Sequence, residues 1–223
     1  MRVQQLLLHI ASCLLWAVVF CGILYERTKG AIGVNTSWAA LTQEVAGCEK
    51  CRLCQTRTNV VLGEGDPHAA LMFIGEGPGQ QEDLSGRPFV GAAGQLLDKM
   101  LAAIGLKREQ VYICNIVKCR PPQNRVPEAD ERAACLNYLR QQVALVRPKV
   151  IVCLGSTPTR TLLGDNMRIT RDRGVWQLKK GVWFMPTYHP AALLRDVDKK
   201  RPAWTDFQAI RDKLKELGVY AQE

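Results

Sequence analysis

The sequence predicts an α/β fold of three layers, with helices on both faces of a central, mainly parallel four-stranded sheet. Short, wholly apolar runs alternate with longer stretches whose apolar residues recur at helical spacing, which is how a layered α/β domain reads. The apolar runs stop at residues that break regular structure, and no internal repeat or low-complexity linker interrupts the pattern from Ser37 to the C-terminus.

Residues 71–74 (LMFI) form the first strand, too short for a helix and ending in a glycine loop. Leu96, Leu97, Met100, Leu101 and Ile104 then repeat at helical spacing, giving the first helix. Residues 111–113 lead a second strand that ends at Asn115, and residues 128–145 form a second helix. Residues 150–154 (VIVCL) make a third strand closed by Gly155, and residues 157–163 a short helix behind it. Residues 182–185 are the fourth strand, ended by Pro186, and residues 203–217 carry the spacing of a closing amphipathic helix. Parallel sheets bind ligands at the carboxyl ends of their strands, so the loops after Ile74, Ile113 and Met185 are expected to face one cleft.

A chain of 223 residues with 47% apolar content can fill a core, which excludes disorder as its main state. Thirty Lys and Arg against 21 Asp and Glu give a net charge of +9, which favours polyanions such as nucleic acid without identifying one. Nine cysteines on a chain this long do not read as a small disulfide scaffold; a reducing, cytoplasmic setting for a monomeric main domain fits better. Residues 6–24 (LLLHIASCLLWAVVFCGIL) are apolar enough to contact or cross a bilayer. Arg2, Arg27 and Lys29 flank that run, which reads as an anchor, a signal peptide, or an extension translated from a start upstream of the true one. The expected division is therefore an apolar extension, 1–35, and a domain at 36–223 that carries every motif.

Cys48 and Cys51 form a Cys-x-x-Cys pair, Cys54 extends it, Cys119 follows the second strand and Cys135 sits in the second helix. Four thiolates suit tetrahedral zinc or an iron–sulfur cluster, and spacing alone chooses neither the metal nor the spare cysteine. Cys13, Cys21, Cys114 and Cys153 lie in apolar contexts and read as small buried hydrophobes. The loop Gly75-Glu76-Gly77-Pro78-Gly79 allows close approach of a ligand to the backbone, but matches neither a dinucleotide nor a Walker loop. Taken singly, this loop, Glu82, Phe89, Asn115 and His189 each have an ordinary structural reading. Their convergence after strand ends that share one rim is what marks a site.

GEGPGQQEDLSGRPFVGAAGQLLDKML, YICNIVKCRPPQNR and PTYHPAALLR, in this order, resemble the successive signatures of family 4 uracil-DNA glycosylases, which carry a four-iron, four-sulfur cluster. The resemblance runs from about Ala46 to Arg195 and leaves out the apolar N-terminus. It implies excision of uracil from single- or double-stranded DNA, with Cys48, Cys51, Cys119 and Cys135 holding the 4Fe-4S cluster and Cys54 outside it. It further implies that Glu76 and Gly77 stand in one wall of the uracil pocket, that Phe89 stacks on the flipped base, and that Asn115 reads its edge. It also implies that His189 meets uracil O2. On the chemistry of bond cleavage, Glu76 is expected to place the attacking water with Glu82 as its substitute, and the run after His189 offers Leu193 or Leu194 as the wedge into the emptied stack. Arg168, Arg171, Arg173, Lys179, Lys180, Lys199, Lys200 and Arg201 form the expected DNA track. Two alternatives stay open on the residues: a glycosylase for another deaminated base, and a non-catalytic, zinc-containing nucleic-acid-binding module.

Overall fold

A computed structural model of the chain describes residues 37–220. The run at 6–24, with its anchor, signal and start-site readings, lies outside the described residues; among those described, no helix is long and apolar enough to cross a membrane.

The strands are β1 (Glu64–Gly65), β2 (Leu71–Gly75), β3 (Tyr112–Asn115), β4 (Val150–Leu154), β5 (Gln177–Lys179) and β6 (Val182–Thr187). They form one sheet in the order β1-β3-β2-β4-β6-β5. The four expected strands are β2, β3, β4 and β6, all mutually parallel where they pair. The count of four was short by two antiparallel edge strands, β1 and β5. Both are two or three residues long and polar or half-exposed, so neither carries the apolar run by which a buried strand is recognised.

The helices are α1 (Trp38–Ala46), α2 (Gln80–Ser85), α3 (Ala92–Ala103), α4 (Ala129–Val146), α5 (Ser156–Leu163), α6 (Ile169–Asp172), α7 (Pro190–Arg195) and α8 (Lys200–Glu216). Alternation along the central strands sends Leu71, Phe73, Ile113, Val150, Val152 and Met185 to one face, where they pack with Leu97 and Leu101 of α3 and Phe207, Ile210 and Leu214 of α8. The Phe73 and Phe207 rings stack there at 5.9 Å. On the opposite face Tyr112 meets the Trp38 ring of α1 at 5.3 Å and accepts a 3.0 Å hydrogen bond from Gln142 of α4. Each layer hides an apolar face of the sheet, and each fully buried Leu or Phe contributes about 1.5–3 kcal/mol. With both faces covered, the free end of the sheet is its carboxyl edge.

Candidate active site

Four parallel strands end on that edge, and the side chains just beyond them share a cavity of about 750 Å³. Glu76 and Gly77 follow β2, Asn115 ends β3, Gly155–Thr157 follow β4, and Tyr188 and His189 follow β6; Phe89 and Glu82 are also in the lining. The backbone fastens these pieces together: Ile116 N donates to Gly75 O at 2.9 Å and Val117 N to Glu76 O at 3.2 Å. A side chain at Gly75 would collide with Asn115 Oδ1 and the Phe89 ring, so the strand end must be glycine for the other two to occupy their places.

Asn115 is 1% exposed, and its Oδ1 is buried without a hydrogen-bond partner. An orphaned acceptor costs about 1–3 kcal/mol. It persists because Asn115 is held from behind: Lys118 Nζ, itself buried, donates to the Asn115 carbonyl at 2.7 Å and to Gln142 Oε1 at 2.5 Å. Phe89 has φ of +52°, a left-handed backbone that a bulky residue adopts only under constraint. Arg108 supplies the constraint, donating to Phe89 O at 3.1 Å and also to Pro88 O. The Phe89 ring lies against the His189 ring at 5.5 Å.

His189 caps α7, its Nδ1 accepting from Ala191 N at 3.1 Å. Burial pushes its pKa down to about 4, with Arg195 acting in the same direction and Glu82 against it. The ring is therefore neutral at pH 7, and because Nδ1 is an acceptor the proton sits on Nε2. Glu76 accepts a short hydrogen bond from the Thr157 hydroxyl through Oε2. Glu82 is tied into the loop instead: Oε2 accepts from Gly79 N at 3.0 Å, Oε1 from Val90 N and Gly91 N at 2.9 and 2.8 Å. Three of its roughly four acceptor sites are thus used by backbone, so Glu82 clasps the loop while Glu76 keeps an oxygen toward the cavity.

The family described as Uracil DNA glycosylase superfamily matches residues 62–214 of this chain. The chain is 50% identical over 181 residues to a type-4 uracil-DNA glycosylase of Sulfurisphaera tokodaii, covering 77% of this chain and 82% of that one. A type-4 uracil-DNA glycosylase of Thermotoga maritima is 48% identical over 160 residues, 70% of this chain and 82% of the relative. The chain belongs to the uracil-DNA glycosylase superfamily. More distant is a type-5 uracil-DNA glycosylase of Pyrobaculum aerophilum, 34% identical over 146 residues, 58% of this chain and 64% of the relative.

In this superfamily member a second, smaller pocket gathers Cys48, Cys51, Cys54, Cys119 and Cys135 with Arg57 and Lys118. The residues come from the α1 end, the turn after it, the segment after β3, and α4. Arg57 Nη1 donates to Cys119 Sγ at 3.3 Å, and Lys118 N to Cys135 Sγ at 3.4 Å. Burial pushes the thiols of Cys51, Cys119 and Cys135 up, that of Cys119 to about 11. As free groups these three would be protonated at pH 7, so a bound metal is what would stabilise their thiolates. Among the described residues no three His, Cys, Asp or Glu groups converge closely enough for a single metal ion. Cys114 and Cys153 are fully buried in the strands, away from both pockets.

At the rim, several cations of the expected track have partners within the chain. Arg171 pairs with Asp172 at 2.7 Å, Arg173 with Asp206 at 2.5 Å, and Lys179 Nζ donates to Leu163 O at 2.9 Å; of that group only Lys199 lines the cavity. Arg160 and Arg195 also line it, both exposed and without an ion pair among the described residues. Within α7, Leu193 is 2% exposed and faces the core, whereas Leu194 is 48% exposed. Gly155, Thr157 and Tyr188 line the cavity without having been singled out as site residues. For Gly155 and Thr157 a signal existed: residues 150–154 form a strand parallel to the others, so the loop beyond Leu154 reaches the same edge.

Proposed function

We propose that this chain hydrolyses the N-glycosidic bond of uracil in DNA and leaves an abasic site, with Glu76, Phe89, Asn115 and His189 as the groups that touch the base, the sugar or the attacking water. The observation that carries this reading is the unpartnered Oδ1 of Asn115 inside a cavity that Glu76, Phe89 and His189 also line. Chemistry on a base requires it to be taken out of the stack, at a cost of a few kcal/mol. Uracil offers N3–H and O4 on one edge. Asn115 Oδ1 accepts from the first and Nδ2 donates to the second, while cytosine presents the opposite pattern and leaves both groups unpaired. Phe89 covers the face of the extruded ring.

Breaking the bond puts negative charge on uracil and positive charge on the sugar. His189 Nε2–H is a neutral donor for O2, where the negative charge grows. A carboxylate at Glu76 orients the attacking water and offsets the sugar cation. Arg160 and Arg195 meet the phosphates that flank the extruded nucleotide.

Cys48, Cys51, Cys119 and Cys135 hold a 4Fe-4S cluster. The gathering of these thiols, two buried and two half-buried, with N–H donors and a buried lysine supports this. The cluster supplies a cross-link between α1, the segment after β3, and α4. The test is alkali cleavage of an oligonucleotide bearing one uracil after incubation with protein that carries about four irons per chain. Wild type removes the uracil so that alkali breaks the strand, His189→Ala loses about 10²- to 10³-fold in rate, and Glu76→Gln falls similarly. An intact oligonucleotide with iron-loaded wild type would overturn the assignment.

A further inference from the structure

Glu76 has two oxygens in different circumstances. Oε2 accepts from Thr157 Oγ1, while Oε1 has no protein partner among the described residues and belongs to a side chain that lines the cavity. Thr157 is 8% exposed, the second residue of α5. Its placement is fixed from both sides of the site. Gly155 N donates to Thr187 O at 2.8 Å, which ties the β4–α5 turn to the end of β6. Gly155 has φ of +95°, and a side chain there would come within 3.1 Å of His189 Cβ. The turn therefore passes between Glu76 and His189, touching His189 with its glycine and Glu76 with its threonine. On the far side the Glu76 backbone is pinned by Val117 N.

A glutamate on a glycine-flanked loop has three rotatable side-chain bonds and no reason to hold one direction in a cavity this large. A single donor on one oxygen removes most of that freedom and leaves the other oxygen aimed. We infer that Thr157 is a positioning residue, which anchors Glu76 Oε2 so that Oε1 alone accepts the hydrogen of the attacking water. The inference rests on Glu76 being the group that places this water. Thr157 itself touches neither base nor sugar in this role, and it transfers no proton: its hydroxyl remains a donor throughout.

The test is single-turnover kinetics of the full-length, iron-loaded protein on a uracil oligonucleotide, together with DNA affinity and melting temperature. Thr157→Val keeps the shape and removes the donor; the rate falls about 10- to 100-fold, the loss expected for a hydrogen bond to a charged group, while DNA affinity stays within about twofold. Thr157→Ser recovers most of the rate. In a Glu76→Gln background Thr157→Val costs little more, because the carboxylate it positions is gone. Thr157→Ala gives the same reading if the valine variant does not accumulate. If Glu76→Gln slows the reaction but Thr157→Val and Thr157→Ala do not, or if the two losses multiply, the positioning role is wrong and the glycosylase reading stands. If Glu76→Gln cleaves like wild type, the assignment of Glu76 fails and this inference with it.

Discussion

At the scale of single residues, His189 makes the most restrictive choice. Its Nδ1 is committed to Ala191 N, so a second proton would force a donor against a donor as well as a charge into a buried place. With a folded pKa near 4 against 6.5 for a free imidazole, the unfolded chain binds the proton first. Stability from this group is complete above about pH 6.5 and declines as pH falls toward 4. The neutral Nε2–H donor survives the same range, so loss of activity through His189 protonation should centre near pH 4, and a rate profile from pH 5 to 8 should lack a His189 limb at 6.5. A profile that drops with a midpoint at 6.5 in wild type, and does not in His189→Gln, contradicts the tautomer described. That Asn115 and His189 would share a rim was legible because both stand at strand ends, whereas Phe89 by itself reads as core and was pointed to only by the resemblance. The different hydrogen-bond partners of Glu76 and Glu82 were not legible, since two carboxylates six residues apart look alike until backbone N–H groups are seen to claim one of them.

Among the elements, the turn from β4 to α5 carries more of the site than its sequence suggests. A glycine at 155 satisfies a left-handed φ and a 3.1 Å approach to His189 together. Gly155→Ala should lower activity by about 10- to 100-fold through displacement of the imidazole. Gly181→Ala is the control: φ there is +80°, but nothing lies within 4 Å of its added carbon, so it should cost stability and leave the rate per folded molecule unchanged. Equal activity losses in the two variants, measured at matched folded fraction, would point to backbone strain and not to the His189 contact. The central strands were readable because they are buried on both faces and apolar throughout. The edges were not, because β1 and β5 are held by pairing with β3 and β6 rather than by burial of their own side chains.

Over the whole molecule the net charge is +9, and among the described residues the cavity-lining cations Arg125 and Lys199 have carboxylate partners whereas Arg160 and Arg195 have none. Each phosphate contact contributes close to one unit to the logarithmic salt dependence of DNA affinity. Arg160→Ala and Arg195→Ala should each flatten that dependence by about one unit, whereas Arg171→Ala, whose partner is Asp172, should not; an unchanged slope in the first two would remove them from the DNA path. Long-range assembly of the thiol pocket is not written in local spacing. Cys54 lines the thiol pocket together with the four cysteines of the resemblance, and nothing in the spacing of a Cys-x2-Cys-x2-Cys run separates them.

In the proposed reaction everything else follows from the Asn115 oxygen meeting uracil N3–H. The most direct measurement is the rate of base release from matched oligonucleotides carrying either uracil or N3-methyluracil. Wild type should release uracil and leave the methylated base in place, and Asn115→Ala should release uracil slowly with most of that preference gone. Release of N3-methyluracil by wild type at the uracil rate would mean that Asn115 does not read the base, and the site would have to be assigned anew.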